Sequence, residues 1–449
     1  MALVVVAAVG GGIYLARSGE QAFPSEWDPR VEPIARWVAS ERNLDFDHPV
    51  EVCFLDDDEY REAAIGGAAV DSEGEELDDV VAQLRALGLV EGEVDLGEAT
   101  DTIMDSGTLA YYDTSAKRVV ARGTDLNPAL RVTIAHELVH VLQDQHFELD
   151  RLADLTGSDA SVLRALAEGD ALRIEERYIA DELTDDERTE YESETAEQGD
   201  EARIALEEDV PPVLTAIFAA PYVFGPELVA YLERSGGDDA IDDALADPPS
   251  EAVLFNPLVT GTDAAEVELI EVAAPDGTET LDDGDFGATA WYLVLASRLD
   301  PALALEATDG LVTDGYVMYR DDDQVCVRAR ATGATPDDTA GLADALADWV
   351  EMSPNGTAGV ETDDGEVQLQ SCDPGAEAAA AGEVSVDLFV LPVVRTQIYN
   401  SIIEEGVTDE QATCYVGSIV ATVPSEDLLG DELTPEAEGG IAAAQQECL

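Results

Sequence analysis

The sequence predicts an α+β chain built from more than one packed unit. Short alternating apolar runs, such as Val50, Val52 and Phe54, read as half-buried strands. Longer segments carry apolar residues at helical spacing instead, as in Val31, Ile34 and Val38. At 449 residues the chain exceeds one ordinary core, so two or three units are expected.

Taken in order, Ala2–Ala16 is an uncharged, mostly apolar run closed by Arg17. It is short for a membrane span, which needs about 17–25 residues, and it lacks the basic start of a signal peptide. Its position still favours a membrane anchor or signal segment over residues 1–17, placing the rest of the chain outside the cytoplasm. Residues 21–28 read as a linker. A helix is predicted over 31–42, a strand over 49–55, and a helix opening at DDDEY. A further helix covers 76–87. Short strands at 109–112 and 118–121 flank the polar stretch 113–117, a hairpin signal. Asn127-Pro128 then opens a long helix, and a second helix is expected from about 161 to 182. The acidic stretch 181–209 reads as a solvated helix or loop. Residues 213–232 look helical but interrupted at Pro221 and Pro226. Loops and short helices are expected up to 283, a helix over 285–298, paired strands over 315–330, a helix over 339–352 and a strand over 365–371. The last 65 or so residues look mainly helical.

Charge narrows the functional classes. Asp and Glu number 99 against 22 Lys and Arg, a net charge of −77. Such a surface repels nucleic acid and anionic headgroups, so neither is an expected partner. Lys117 is the only lysine. Dense carboxylates spread from Asp45 to Glu447, with almost no lysine, resemble the composition of proteins from extreme halophiles, where molar salt screens the repulsion within a few ångströms. Of the five cysteines, Cys326–Cys372 and Cys414–Cys448 are the expected local pairs, leaving Cys53 free in an apolar strand.

The chemistry is concentrated in Thr133–Leu142, TIAHELVHVL. On a helix, positions i and i+4 share a face, so His136 and His140 can reach one metal ion. Glu137 sits beside the first ligand and can take a proton from a metal-activated water. The chain holds only four histidines, and a chance H-E-x-x-H is expected roughly 0.004 times at this composition. A catalytic zinc needs a third protein ligand and an open position. His146 lies ten residues after His136, but position 143 is Gln rather than a chain-turning glycine. If the helix continues, His146 points about 240° away from His140. Glu168, in LAEGDA on the next helix, is the favoured third ligand. Gly169 and the flanking alanines allow close helix approach, and Asp170 or Glu175 could orient an imidazole.

HELVH followed by a glutamate on the next helix resembles the gluzincin clan of zinc metallopeptidases. TIAHELVHVLQDQHFEL, ALAEGDA with the following Tyr178, and PYVFGPELV at 221–229 resemble bacterial and haloarchaeal surface proteins of metallopeptidase type, over about residues 30–350. The NExxSD form of the glutamate helix is absent. The expected organisation is a zincin-like catalytic region over 22–210, followed by a mainly helical part over 211–300, a small α/β unit over 301–375 and a helical tail over 383–449. The resemblance implies Zn2+ on His136, His140 and Glu168, Glu137 as general base, and Tyr178 or Tyr222 as the donor to a developing oxyanion. It also implies that the strand Arg118–Arg122 is the sheet edge that pairs with an extended peptide. The expected activity is a zinc-dependent endopeptidase acting on peptide or protein at a halophile's cell surface, touching the membrane only through its N-terminal segment. The alternative is a catalytically inactive surface or adhesion protein on a metallopeptidase fold.

Overall fold

Alternation and helical spacing give the elements expected of them, in two small sheets wrapped by helices. The computed structural model describes residues 23–68, 74–106, 109–257, 269–354, 356–363, 365–379, 382, 384–428 and 433–449. The apolar run at 2–16, expected as anchor or signal, lies outside the described residues. Within them the chain is a mixed α+β protein, as predicted.

The N-terminal part holds α1 (Glu32–Arg42), β1 (Glu51–Leu55), α2 (Asp57–Ala68), α3 (Gly74–Ala86) and α4 (Leu96–Asp105). The hairpin of β2 (Ala110–Asp113) and β3 (Arg118–Arg122) follows. The strand order is β1-β3-β2, with β1 parallel and β2 antiparallel to β3. Arg118–Arg122 is therefore not the sheet edge. The apolar run of β1 claims its far side, and β2 is the edge on the hairpin side. The Arg122 N–H donates to the Leu109 carbonyl at 2.7 Å, which fixes the ladder's parity. Tyr111 and Asp113 bond to β3, whereas Ala110 and Tyr112 turn their backbone groups outward.

Next comes α5 (Pro128–Phe147), capped by Asn127 Oδ1 on the Leu130 N–H with Pro128 in its first turn. It is buried almost all round from Pro128 to Asp144. Helices α6 (Gly157–Glu182), α7 (Asp185–Asp209) and α8 (Pro212–Gly236) follow. The acidic stretch is thus a helix, opened by a Thr184–Glu187 capping box and carrying no fully buried residue. The predicted interruption of α8 does not occur; Pro221 and Pro226 sit inside one continuous helix. Burial of Phe224, Leu228 and Val229 against α6 holds it together. By length and composition α8 could cross a membrane, but that buried face makes it a core helix.

The remaining chain adds α9 (Asp238–Ala246), α10 (Ala252–Phe255), β4 (Glu279–Gly284), α11 (Gly287–Ala296), α12 (Pro301–Asp309), β5 (Leu311–Asp321), β6 (Gln324–Gly333), α13 (Pro336–Met352), β7 (Ala358–Asp363) and β8 (Glu366–Cys372). The five strands form an antiparallel sheet in the order β4-β5-β6-β8-β7. Four further helices, α14 (Val390–Glu404), α15 (Asp409–Thr422), α16 (Ser425–Leu428) and α17 (Pro435–Cys448), close the chain. Both expected disulfides are present, Cys326–Cys372 across β6 and β8 and Cys414–Cys448 between α15 and α17; Cys53 is free. Such bonds fit an oxidising compartment.

Two large apolar cores organise most of the chain, with smaller clusters such as that between α15 and α17 beside them. One core gathers α1, β2, β3, α5 and the second half of α6. The larger one runs from Val81 to Leu391 and takes in the first half of α6, α8 and the second sheet, crossing the expected boundaries at 210, 300 and 375. Helix α6 belongs to both cores, with Glu168 at the junction.

Buried carboxylates fix the start of α11. Glu251 accepts from Thr289 Oγ1 at 2.8 Å, and Asp314 accepts from the Phe286 N–H at 2.8 Å and Trp291 Nε1 at 2.9 Å. Burial pushes the Glu251 carboxyl up to about 7 and that of Asp314 up to about 6, from ordinary values of 4.5 and 3.8. The fold therefore favours their neutral forms. That contribution is complete below the unfolded values and lost as pH rises through 6 to 7. Glutamine mimics the neutral acid at every pH. Relative to Glu251→Gln, the wild type should lose about 3 kcal/mol of unfolding free energy between about pH 4 and pH 8 in urea titrations. A pH-independent difference would contradict this.

Candidate metal centre

The i, i+4 spacing on α5 does what helical geometry demands. His136 Nε2 and His140 Nε2 lie 3.1 Å apart, with their rings edge to face. Glu168 on α6 places Oε2 3.2 Å from His136 Nε2 and 3.5 Å from His140 Nε2. All three side chains are buried, and together they form a group able to hold a metal ion.

The remaining ring atoms decide how the group is used. His136 Nδ1 lies 2.9 Å from Glu175 Oε2, and His140 Nδ1 lies 2.9 Å from Gln143 Oε1. Both oxygens are acceptors, so each Nδ1 carries the proton and each Nε2 turns a lone pair inward. Two lone pairs and a carboxylate oxygen at 3.1–3.5 Å repel one another unless a proton or a cation lies among them. A tetrahedral ion with bonds of about 2.0–2.1 Å spaces its ligand atoms about 3.3–3.4 Å apart. The donor set therefore fits a small tetrahedral cation.

Without a cation, a proton takes its place. Burial disfavours imidazolium, but hydrogen bonds to Glu168 and Glu175 raise the His136 pKa well above its ordinary value. For Glu168, burial is likewise outweighed by the two imidazoles, and its carboxyl is held well below the usual range. Metal and proton thus compete for one site.

Each ligand is braced. Gln143, which stands where a turning glycine would end the helix, donates to the Ala167 carbonyl at 3.0 Å and to Asp170 Oδ2 at 3.1 Å. Asp170 is fully buried and paired with Arg42 at 2.9 Å and Arg173 at 2.9 Å. Asp170 thus reaches His140 only through Gln143, whereas Glu175 touches His136 directly. Glu168 Oε1 accepts from the Tyr222 hydroxyl at 3.1 Å. Burial and the neighbouring Glu168 and Glu137 carboxylates push that phenol up, so it remains a donor.

The glycines explain why α8 can deliver Tyr222. A Cβ on Gly169 would collide with the backbone of Gly225, and one on Gly225 with the Ala165 carbonyl. The two helices touch backbone to backbone there. Tyr222, almost one turn before Gly225, is thereby laid over Glu168, next to Gly169. The EGDA and PYVFG segments are the two halves of one crossing.

Glu137 is buried beside the triad, where burial raises its carboxyl against the pull of both histidines. The outward Tyr112 N–H of β2 faces it and favours its ionised form. A cleft of about 520 Å³ opens at the N-terminal end of β2, lined by Leu109, Arg122, Asp105 and, from α7, Gln198 and Glu201.

Two sequence candidates fall outside the centre. His146 is exposed at the end of α5 and bonds the Asp45 carbonyl at 2.9 Å, because the helix continues past Gln143. Tyr178 sits ten residues beyond Glu168 on α6, about 15 Å along the axis. It packs edge-on against Trp37 in the smaller core, away from the three ligand atoms that the sequence reading placed it beside. Three contributors escape a sequence reading: Gln143 as a brace, the Tyr112 N–H, and Arg164, whose charge lies near Glu168 and Tyr222. Only Arg164 leaves a trace, four residues before Glu168 on the same helix face.

Comparison of the chain with protein-family models, with curated proteins and with solved structures finds no match.

Proposed function

We propose that this protein is a zinc-dependent endopeptidase of gluzincin type, with a zincin-like catalytic region, acting on peptide or protein substrates at the surface of a halophile. The observation that carries this reading is the closure of His136, His140 and Glu168 to tetrahedral spacing with Glu137 beside them. Two imidazoles and one carboxylate are the donor set of hydrolytic zinc sites, which leave one position open. Zinc held there would supply Lewis acidity and water of lowered pKa.

The chain's own groups supply the rest. Glu137 accepts a proton from the attacking water and returns it to the leaving amine. Tyr222 orients Glu168 through its hydroxyl, and that hydroxyl would turn from Glu168 to donate to a developing oxyanion. An extended substrate would run along the outward edge of β2, entering from the cleft beside α7. The −77 charge gives the salt requirement.

The test is metal content and casein hydrolysis by the wild type in molar KCl. One zinc per chain with chelator-sensitive cleavage supports the reading. Bound zinc with no cleavage at any salt concentration would move an inactive surface protein ahead of it.

A further inference from the structure

The hairpin beside the centre carries the only lysine of a chain that otherwise uses arginine for every cation. Lys117 sits in the turn between β2 and β3 with a left-handed backbone, φ 51°. Its ammonium donates to both oxygens of Asp144, at 2.9 and 2.8 Å, and to Asp150 at 2.8 Å. Asp144 is buried near the end of α5 and also accepts the Tyr112 hydroxyl at 2.7 Å and the Asp150 N–H at 3.1 Å. Tyr112 is almost wholly buried.

Tyr112 therefore meets α5 at two points. Its hydroxyl is tied to Asp144, and its outward N–H meets Glu137, seven residues earlier or about 10 Å along the helix. Strand β2 lies along the helix between these two pins. One pin is a buried carboxylate, and its full counter-charge comes from Lys117. Without that charge a buried carboxylate is left without its counter-ion, and the strand's seat on α5 changes.

We infer that Lys117 is a positioning residue for Glu137, acting through Asp144 and Tyr112 to hold the edge strand against the catalytic helix. The inference rests on the reading of Glu137 as the general base. It touches no metal ligand, so it separates placement of the base from capture of the metal.

The test compares the wild type with Lys117→Met, Lys117→Arg and Tyr112→Phe in molar KCl. Zinc content, casein kcat and KM, and hydrogen exchange of the Tyr112 amide are measured on the full chain. In Lys117→Met, zinc content and KM should stay unchanged while kcat falls about 10- to 100-fold. The Tyr112 amide should exchange at least about tenfold faster. Lys117→Arg, which keeps the charge, should restore most of both. Wild-type kcat and exchange in Lys117→Met would overturn the inference. So would a fall in kcat with unchanged Tyr112 exchange, or with loss of zinc. If Lys117→Met does not fold, Tyr112→Phe, which removes the hydroxyl link alone, is judged by the same outcomes. If the wild type cleaves nothing, the peptidase reading fails, and the exchange of Tyr112 still decides whether Lys117 seats the strand.

Discussion

Glu137→Gln is expected to keep the metal and lose the chemistry, with kcat falling by about 10²- to 10⁴-fold. The substitution keeps shape and volume in a buried position, so the three ligand atoms are not disturbed. Glutamine has no basic oxygen to take a proton from water and none to return it to the leaving nitrogen. It still presents an oxygen to the Tyr112 N–H, and the Tyr112 hydroxyl stays on Asp144, so the strand remains seated. KM should change little, because the loss falls on the transition state rather than on ground-state binding. Steady-state kinetics at molar salt, alongside metal analysis, check this. Activity within a few-fold of wild type would remove Glu137 from the mechanism.

The second large effect is expected at a residue with no side chain of its own. Gly225→Val should destabilise the fold by about 3 kcal/mol or more, read by urea unfolding. The added side chain would meet the Ala165 carbonyl and the Gly169 backbone, neither of which can turn aside as a side chain would. To relieve the clash, α8 must lift from α6, and Tyr222 must leave Glu168. Metal affinity should therefore fall with stability. Tyr222→Phe should lower metal affinity alone, since the helix crossing survives. A stable Gly225→Val protein with wild-type metal affinity would show that the crossing does not position the ligand.

Local geometry was the most legible part of this chain. His136 and His140 are four residues apart on one helix, and no tertiary information is needed to put them on one face. Glu168 could be reached from the small residues around it, because glycine and alanine declare a close crossing before its partner is known. The partner, Gly225, lies 56 residues further on, and no local pattern joins the two. Tyr178 and Tyr222 looked alike in sequence for the same reason. The rotation of α6 that buries Tyr178 on Trp37, and the crossing that brings Tyr222 inward, are both tertiary.

Prolines misled in the expected direction. Pro221 and Pro226 each remove a helical hydrogen bond, yet burial of α8 against α6 outweighs that loss. Strands β4 and β7 escaped notice because their exposed, acidic residues show no alternation; β4 reads ETLDDG and β7 AGVETD. Each is an edge strand recruited by the apolar interior strands β5, β6 and β8. The order of the smaller sheet was hidden too, because only pairing with β1 moves Arg118–Arg122 from the edge to the centre.

The central claim is that His136, His140 and Glu168 hold one metal ion, and metal analysis of Glu168→Ala against the wild type tests it most directly. The wild type, purified in molar KCl and freed of loosely bound ions, should retain one zinc per chain. Glu168→Ala should retain almost none under the same conditions while remaining folded. Retention of zinc by Glu168→Ala, or a folded wild type that takes up no divalent metal, would contradict the account.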